Sequence, residues 1–250
     1  MALALTLAVS GCGPAAIPDG IQDPYEAQNR RVHAENTSLD QVLIKPLSGG
    51  YGGSTPRPLR QGISHFADNV DTPRMVVNAI LQGRGEDAIH NTFRFILNST
   101  IGLAGLFDPA TSIGLERRST DFGETLHVWG VKEGNYVELP VLGPSTERDS
   151  VGKVVDSFLN PLGYVLPSPE KYVTTVSGGL SKIGDRYTYG STVDSILYDS
   201  ADSYAQARIL YLQNRRHDLL RFGTEGASGK ECRDDPDACE PDYYDPYEDQ

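Results

Sequence analysis

The chain has 250 residues, a formal net charge of −12 and 38% hydrophobic residues. This is enough for one large domain or two small ones, but not for a bundle of membrane-spanning helices. No basic stripe stands out to neutralise phosphates, which argues against nucleic acid as a partner. Much of the excess acid lies after Glu231, so the body is only mildly acidic and contact with a membrane surface is less unfavourable than the total implies.

Ala2 to Val9 is a short apolar run, followed by Val9-Ser10-Gly11-Cys12. An apolar run before small residues reads as a secretory signal. Small residues directly before a cysteine resemble a bacterial lipobox, which makes residues 1–11 a signal and Cys12 the lipidated first residue. The bland alternative is an ordinary signal with a chance cysteine. No Lys or Arg precedes the run, so a start upstream of Met1 is left open. Residues 12–22 then form a linker.

In chain order, the body opens at Asp23-Pro24, with Asp23 expected as a cap and a helix running to about Leu43, stopped by Lys45-Pro46. Gly49 to Pro58 reads as a glycine-rich loop; it lacks the Gly-Lys-Ser/Thr ending that cradles phosphate. Leu59, Ile63, Phe66 and Val70 mark a short helix. Thr72-Pro73 signals a new start and Gly83 a stop.

Glu86 to Ala110 is the most apolar stretch of the body. Ile89, Phe93, Ile96, Leu97, Leu103 and Phe107 recur at helical spacing, while Asn98, Gly102 and Gly105 leave a small or polar second face. Phe95 to Phe107 would be roughly 20 Å long as a helix, too short to cross a bilayer. Two readings stand: a buried helical hairpin, or a helix pair dipping into one leaflet.

Asp121 to Asp149 is rich in Gly and aromatics with little helical period; Leu126, Val128, Tyr136, Val137 and Leu139 suit short strands or extended loops. Its length marks it as functional. Val151 to Phe158 reads as a short helix, and Glu170 to Tyr187 as a loose helix interrupted by Gly178-Gly179. A last helix runs from Asp199 or Ser200 to Gly223. Residues 224–250 form an acidic tail expected to be disordered. It holds Cys232 and Cys239, which are expected to pair as a disulfide in an exported protein.

No catalytic constellation emerges. The five histidines are scattered, with no pair at metal-ligand spacing, so neither a metal nor a cofactor is expected. There is no Gly-x-Ser-x-Gly elbow. Ser150-Val151-Gly152-Lys153 lacks the companion motifs of penicillin-recognising enzymes.

Several collinear blocks resemble the MlaA (VacJ) family of outer-membrane phospholipid-transport lipoproteins. They are Asp23-Pro24-x-Glu26-x-x-Asn29-Arg30, Arg94-Phe95-x-Leu97-Asn98-Ser99-Thr100-Ile101-Gly102-Leu103, and Asp121-Phe122-Gly123-x-Thr125-Leu126. Trp129-Gly130-Val131, Gly143-Pro144-Ser145-x-x-Arg148-Asp149 and Tyr211-Leu212-Gln213-x-Arg215 continue the match. The resemblance implies a mostly α-helical ring over residues 23–223, lying in the inner leaflet of the outer membrane around a polar channel. It implies a lipid anchor on the periplasmic side, trimeric porins and a soluble periplasmic phospholipid carrier (MlaC-like) as partners, and retrograde phospholipid transport without enzyme activity. On this reading Phe93, Ile96, Leu97, Leu103, Leu106 and Phe107 face lipid, and Asn98, Trp129, Tyr136 and Arg148 are candidates for the passage or its gate. A structural lipoprotein that binds a protein partner without moving lipid is the alternative.

Overall fold

The computed structural model describes residues 13–169 and 171–223. The signal, Cys12, the acidic tail and the Cys232–Cys239 pair lie outside the described residues. The fold is mostly α-helical with one small antiparallel sheet.

Helix α1 (Glu26–Leu39) passes through a wide π-helical turn at Asp40–Ile44 into α2 (Lys45–Ser54). Pro46 therefore opens a helix instead of stopping one, since a first-turn residue needs no N–H acceptor. The expected glycine loop is helical to Ser54. A Cβ on Gly52 would stand 2.1 Å from the Tyr187 ring, so only glycine lets the two segments meet there. Asp23 does not cap α1. Its carboxylate accepts from Asn29 Nδ2 at 2.8 Å and from Tyr204 and Arg208, tying the first helix to the last.

Helix α3 (Arg57–Leu81) is continuous through Pro73, where two helices were expected. The missing N–H of a mid-helix proline costs about 3 kcal/mol. Packing of α3 against both α4 (Gly85–Thr100) and α9 (Lys171–Thr188) offsets it. Beyond Thr100 the chain does not form a second helix of a hairpin. It turns through Leu103 (φ 50°) and Ala104 (φ 59°) and reaches only a single-turn α5 (Pro109–Ser112).

Leu126 and Val128 lie in α6 (Phe122–Val128), not in a strand; Asp121 caps it, accepting from the Glu124 N–H at 2.9 Å. Tyr136–Leu139 forms β1, paired antiparallel with β2 (Gly143–Thr146). Thr146 caps α7 (Glu147–Leu159), and α8 (Leu162–Val165) comes next. Gly178-Gly179 do not interrupt α9. After α10 (Gly190–Asp194), the last helix α11 starts at Ser203, later than expected. Asp202 accepts from the Ala205 N–H at 3.0 Å.

Packing closes on itself. Contacts run from α3 to α9, α9 to α2, through the π turn to α1, on to β1 and β2, to α7, to α6 and back to α3. This circuit surrounds polar space instead of a filled apolar centre. A small aromatic core of Tyr136, Tyr204 and Leu212, with Tyr211 against it, sits where α11 crosses the sheet. Among the described residues, buried polar and charged side chains outnumber buried apolar ones, the reverse of a water-soluble core.

Candidate functional site: a polar cavity inside an apolar surface

Helix α4 shows the inversion most plainly. Asp87, Asn91, Arg94 and Asn98, spaced three or four apart, are all buried. Ile89, Phe93 and Ile96 on the opposite stripe are 61%, 62% and 52% exposed. The buried stripe clasps the returning chain. Arg94 donates to Asp108 Oδ2 at 3.0 Å, to Thr111 Oγ1 at 3.0 Å and to the Leu115 carbonyl. Asn98 Nδ2 donates to Asp108 Oδ1 at 2.9 Å while its Oδ1 accepts from the Ala110 N–H. Asn91 Nδ2 donates to the Arg118 carbonyl at 2.8 Å. Burial would raise Asp108, but the bonds from Thr111, Asn98 and Arg94 outweigh it and hold the carboxyl down to about 2.

That clasp forces a tight turn at Ile101–Phe107. A Cβ at Gly105, which has φ +95°, would strike the Asn69 side chain. Leu103 and Ala104 take the left-handed conformation, which costs a residue with a Cβ about 1–2 kcal/mol. The result holds Leu103, Leu106 and Phe107 outward and exposed, in continuity with Phe93 and Ile96; Leu97 is half-buried. No helix of the described residues is long and apolar enough to cross a membrane.

Inside the ring lies a cavity of about 790 Å³ between α3, α7 and α9. Its charged lining is balanced: Asp68, Asp71, Asp156 and Asp185 against Arg74, Arg117, Lys153 and Lys182. Arg74 joins Asp71 at 2.7 Å to Asp156 at 3.0 Å, and Arg117 joins Asp68 at 2.9 Å. Burial pushes the Asp68 carboxyl up, against the pull of Arg117. Lys153 Nζ donates to the Pro144 carbonyl at 3.2 Å and lies over the Tyr211 ring; burial pushes its ammonium down.

Arg74, Lys153, Asp156 and Lys182 also line a second cavity of about 490 Å³, which reaches α11 at Tyr211 and Arg215. Ser64, Ser181 and Asp185 are shared with a third of about 630 Å³, walled by Arg57, Arg60, Tyr187 and Tyr189. The three cavities adjoin one another along α3 and α9 through these shared lining residues. On the other side of the same helix pair, Ile63, Phe66, Leu106, Tyr172, Val173 and Val176 line an apolar hollow of about 430 Å³.

The wall by α11 is a buried charge network. Arg215 donates to Asp121 at 2.8 Å and to Asp149 at 2.9 Å, and lies 3.4 Å from Glu124. Burial acts to raise Asp121 and Asp149, yet Arg215 holds both below the ordinary carboxylate range. Burial raises Glu124 further with the help of Asp121. His127 is pushed down to about 4 by burial, then by Arg148 and Arg215.

The four passage candidates line none of these cavities. Asn98 staples Asp108. Tyr136 is fully buried with its hydroxyl on Glu138. Arg148 is buried against Asp149 and His127. Trp129 is exposed and donates from its indole N–H to the Leu81 carbonyl at 3.0 Å. Sequence reasoning missed the cavity residues because Ser64, Asp68, Asp71 and Arg74 recur at helical spacing on α3, a pattern that reads as an ordinary solvated face.

Comparison with known proteins agrees with this architecture. The model of the MlaA lipoprotein family matches residues 21–218. The intermembrane phospholipid transport system lipoprotein MlaA of Escherichia coli is 32% identical over 90% of this chain and 88% of its own length. An uncharacterized protein of Rickettsia felis is 36% identical over 75% of this chain and 74% of its own. A solved structure, described as the structural basis for maintenance of bacterial outer membrane lipid asymmetry, superposes with a TM-score of 0.64. It is 30% identical and covers 79% of this chain and 98% of that one. With the match extending from the linker through most of the last helix, the chain belongs to the MlaA lipoprotein family.

Proposed function

We propose that this protein sits in the inner leaflet of the outer membrane and passes phospholipid head groups through its polar cavity toward the periplasm. The observation that carries the reading is the inversion: apolar side chains of α4 and the 101–107 turn face outward while the ring encloses charge. A lipid chain exposed to water costs about 0.8 kcal/mol per methylene. A route without an energy source therefore solvates only the head group and leaves the chains in lipid. A charge-balanced lining of four carboxylates and four cations suits that task, since it solvates a phosphate and an ammonium alike. Phe93, Ile96, Leu97, Leu103, Leu106 and Phe107 serve as the leaflet-facing surface. A lipid on Cys12 supplies the other anchor, since one acyl anchor alone binds only marginally. The relative's name and the solved structure's description support phospholipid transport and outer-membrane lipid asymmetry as the setting. Trimeric porins and an MlaC-like carrier are the partners of this reading, and the chain itself performs no catalysis.

Mass spectrometry of the detergent-purified full chain tests it. Co-purified phospholipid and an acylated Cys12 are expected. A protein that binds no lipid in any preparation, yet still restores the outer-leaflet barrier in a deletion strain, would instead be the structural lipoprotein of the alternative reading.

A further inference from the structure

The charges that line the central cavity do not all answer one another. Asp71 and Asp156 share Arg74, while Asp68 and Asp71 share Arg117. Lys153, Lys182 and Asp185 stand outside that set of ion pairs. Among the described residues, no carboxylate lies within salt-bridge distance of either lysine, and no cation lies within that distance of Asp185. Lys153 reaches the space from α7, with its Nζ on the Pro144 carbonyl at 3.2 Å and over the Tyr211 ring. Burial disfavours its ammonium, so an anion beside it gains more than it would beside a fully hydrated lysine.

Lys182 and Asp185 lie one turn apart on α9, an axial offset of about 4.5 Å at about 1.5 Å per residue. Neighbours at that spacing often pair. Here their order works against it. Side chains lean toward the helix N-terminus, and a cation that precedes its carboxylate along the chain is the weaker arrangement. Both side chains are instead exposed and line the central cavity. The two lysines also line the cavity that reaches Tyr211 and Arg215, whereas Asp185 also lines the one that reaches Tyr187. The spare cations therefore lie toward one end of the space and the spare anion toward the other.

We infer that this space selects a phosphodiester head group that carries an amine, with its phosphate at Lys153 and Lys182 and its ammonium at Asp185. The inference rests on the proposed function and adds a preference to it. A lysine binds phosphate as a point charge, and an ammonium answers a carboxylate in the same way. The short ethylene spacer between the two charges of such a head group suits the single helical turn between Lys182 and Asp185. An anionic head group that ends in an alcohol engages the lysines equally well, but it leaves Asp185 without a counter-charge.

Native mass spectrometry of the detergent-purified full chain tests this, with phosphatidylethanolamine, phosphatidylcholine and phosphatidylglycerol of matched acyl chains in equal amounts. Both amine-bearing lipids should outcompete phosphatidylglycerol about fivefold, the upper end of what one exposed ion pair contributes. A lead of phosphatidylethanolamine over phosphatidylcholine assigns the site to a hydrogen-bonding primary ammonium, and parity assigns it to charge alone; either ranking supports the inference. Asp185→Asn should erase the lead over phosphatidylglycerol. Lys182→Gln should weaken all three lipids alike, by about fivefold. Both positions are exposed and outside the ion pairs of the wall, so the fold is not at stake in either variant. Phosphatidylglycerol that binds as well as the other two overturns the inference and leaves lipid passage standing. A lead that survives Asp185→Asn does the same. Binding of no lipid at all overturns the inference together with the proposed function.

Discussion

The buried stripe of α4 and the wall of the central cavity carry the same kinds of residue in opposite settings. Arg94, Asn98 and Asp108 satisfy one another and hold the returning chain in place. Among the described residues, Lys153 and Lys182 have no carboxylate within salt-bridge distance, and both line open space. Buried polar groups that saturate each other are staples, and those left with spare donors beside a void are a solvating surface. Burial alone does not distinguish them; the accounting of hydrogen bonds does.

The sharpest break of this comparison targets the outer face. Leu103→Asp with Phe107→Asp removes about 3–6 kcal/mol of apolar transfer, so a Cys12→Ser chain should leave vesicles by at least a hundredfold in a flotation assay. Folding should survive, because both positions are exposed and Asp tolerates the left-handed backbone at 103 better than Leu. Unchanged flotation would mean that this face is not the membrane contact.

The inner wall should respond in the reverse way. Arg215→Ala leaves Asp121, Asp149 and Glu124 without their shared cation. A loss of about 3–5 kcal/mol in denaturant unfolding is expected. A milder, pH-dependent effect comes from His127. Its folded pKa of about 4 lies below the usual imidazole value because burial, Arg148 and Arg215 disfavour the cation. The unfolded chain thus binds the extra proton first, and stability falls as pH drops from about 6.5 to 4, by roughly 2–3 kcal/mol. His127→Gln should flatten that part of the pH–stability curve. The smallest effect belongs to Trp129→Phe, which loses the bond to the Leu81 carbonyl at an exposed site and should cost about 1 kcal/mol or less on heating.

Part of the site is legible in the sequence. The apolar stripe Ile89, Phe93, Ile96 and the polar positions between are visible as a period, and the structure turns the polar side inward. The helix start at Pro46 and the continuity through Pro73 are not legible, since local signals assign a proline to a boundary while packing decides on which side it falls. The 121–149 segment stands out in composition, yet Tyr136 and Arg148 prove to be buried framework.

The amino-acid order by itself determined a helical chain with one unusually apolar stretch, an acidic tail and family membership. Those are properties of neighbours along the chain, where period and composition speak directly. Only the tertiary structure decided that charge faces inward and apolar groups outward, and that α3, α7 and α9 line the cavity. Asp68, Arg74, Lys153 and Lys182 come from distant segments. A single helix cannot say whether its polar face meets bulk water, a staple or a wet passage until the ring has closed around it.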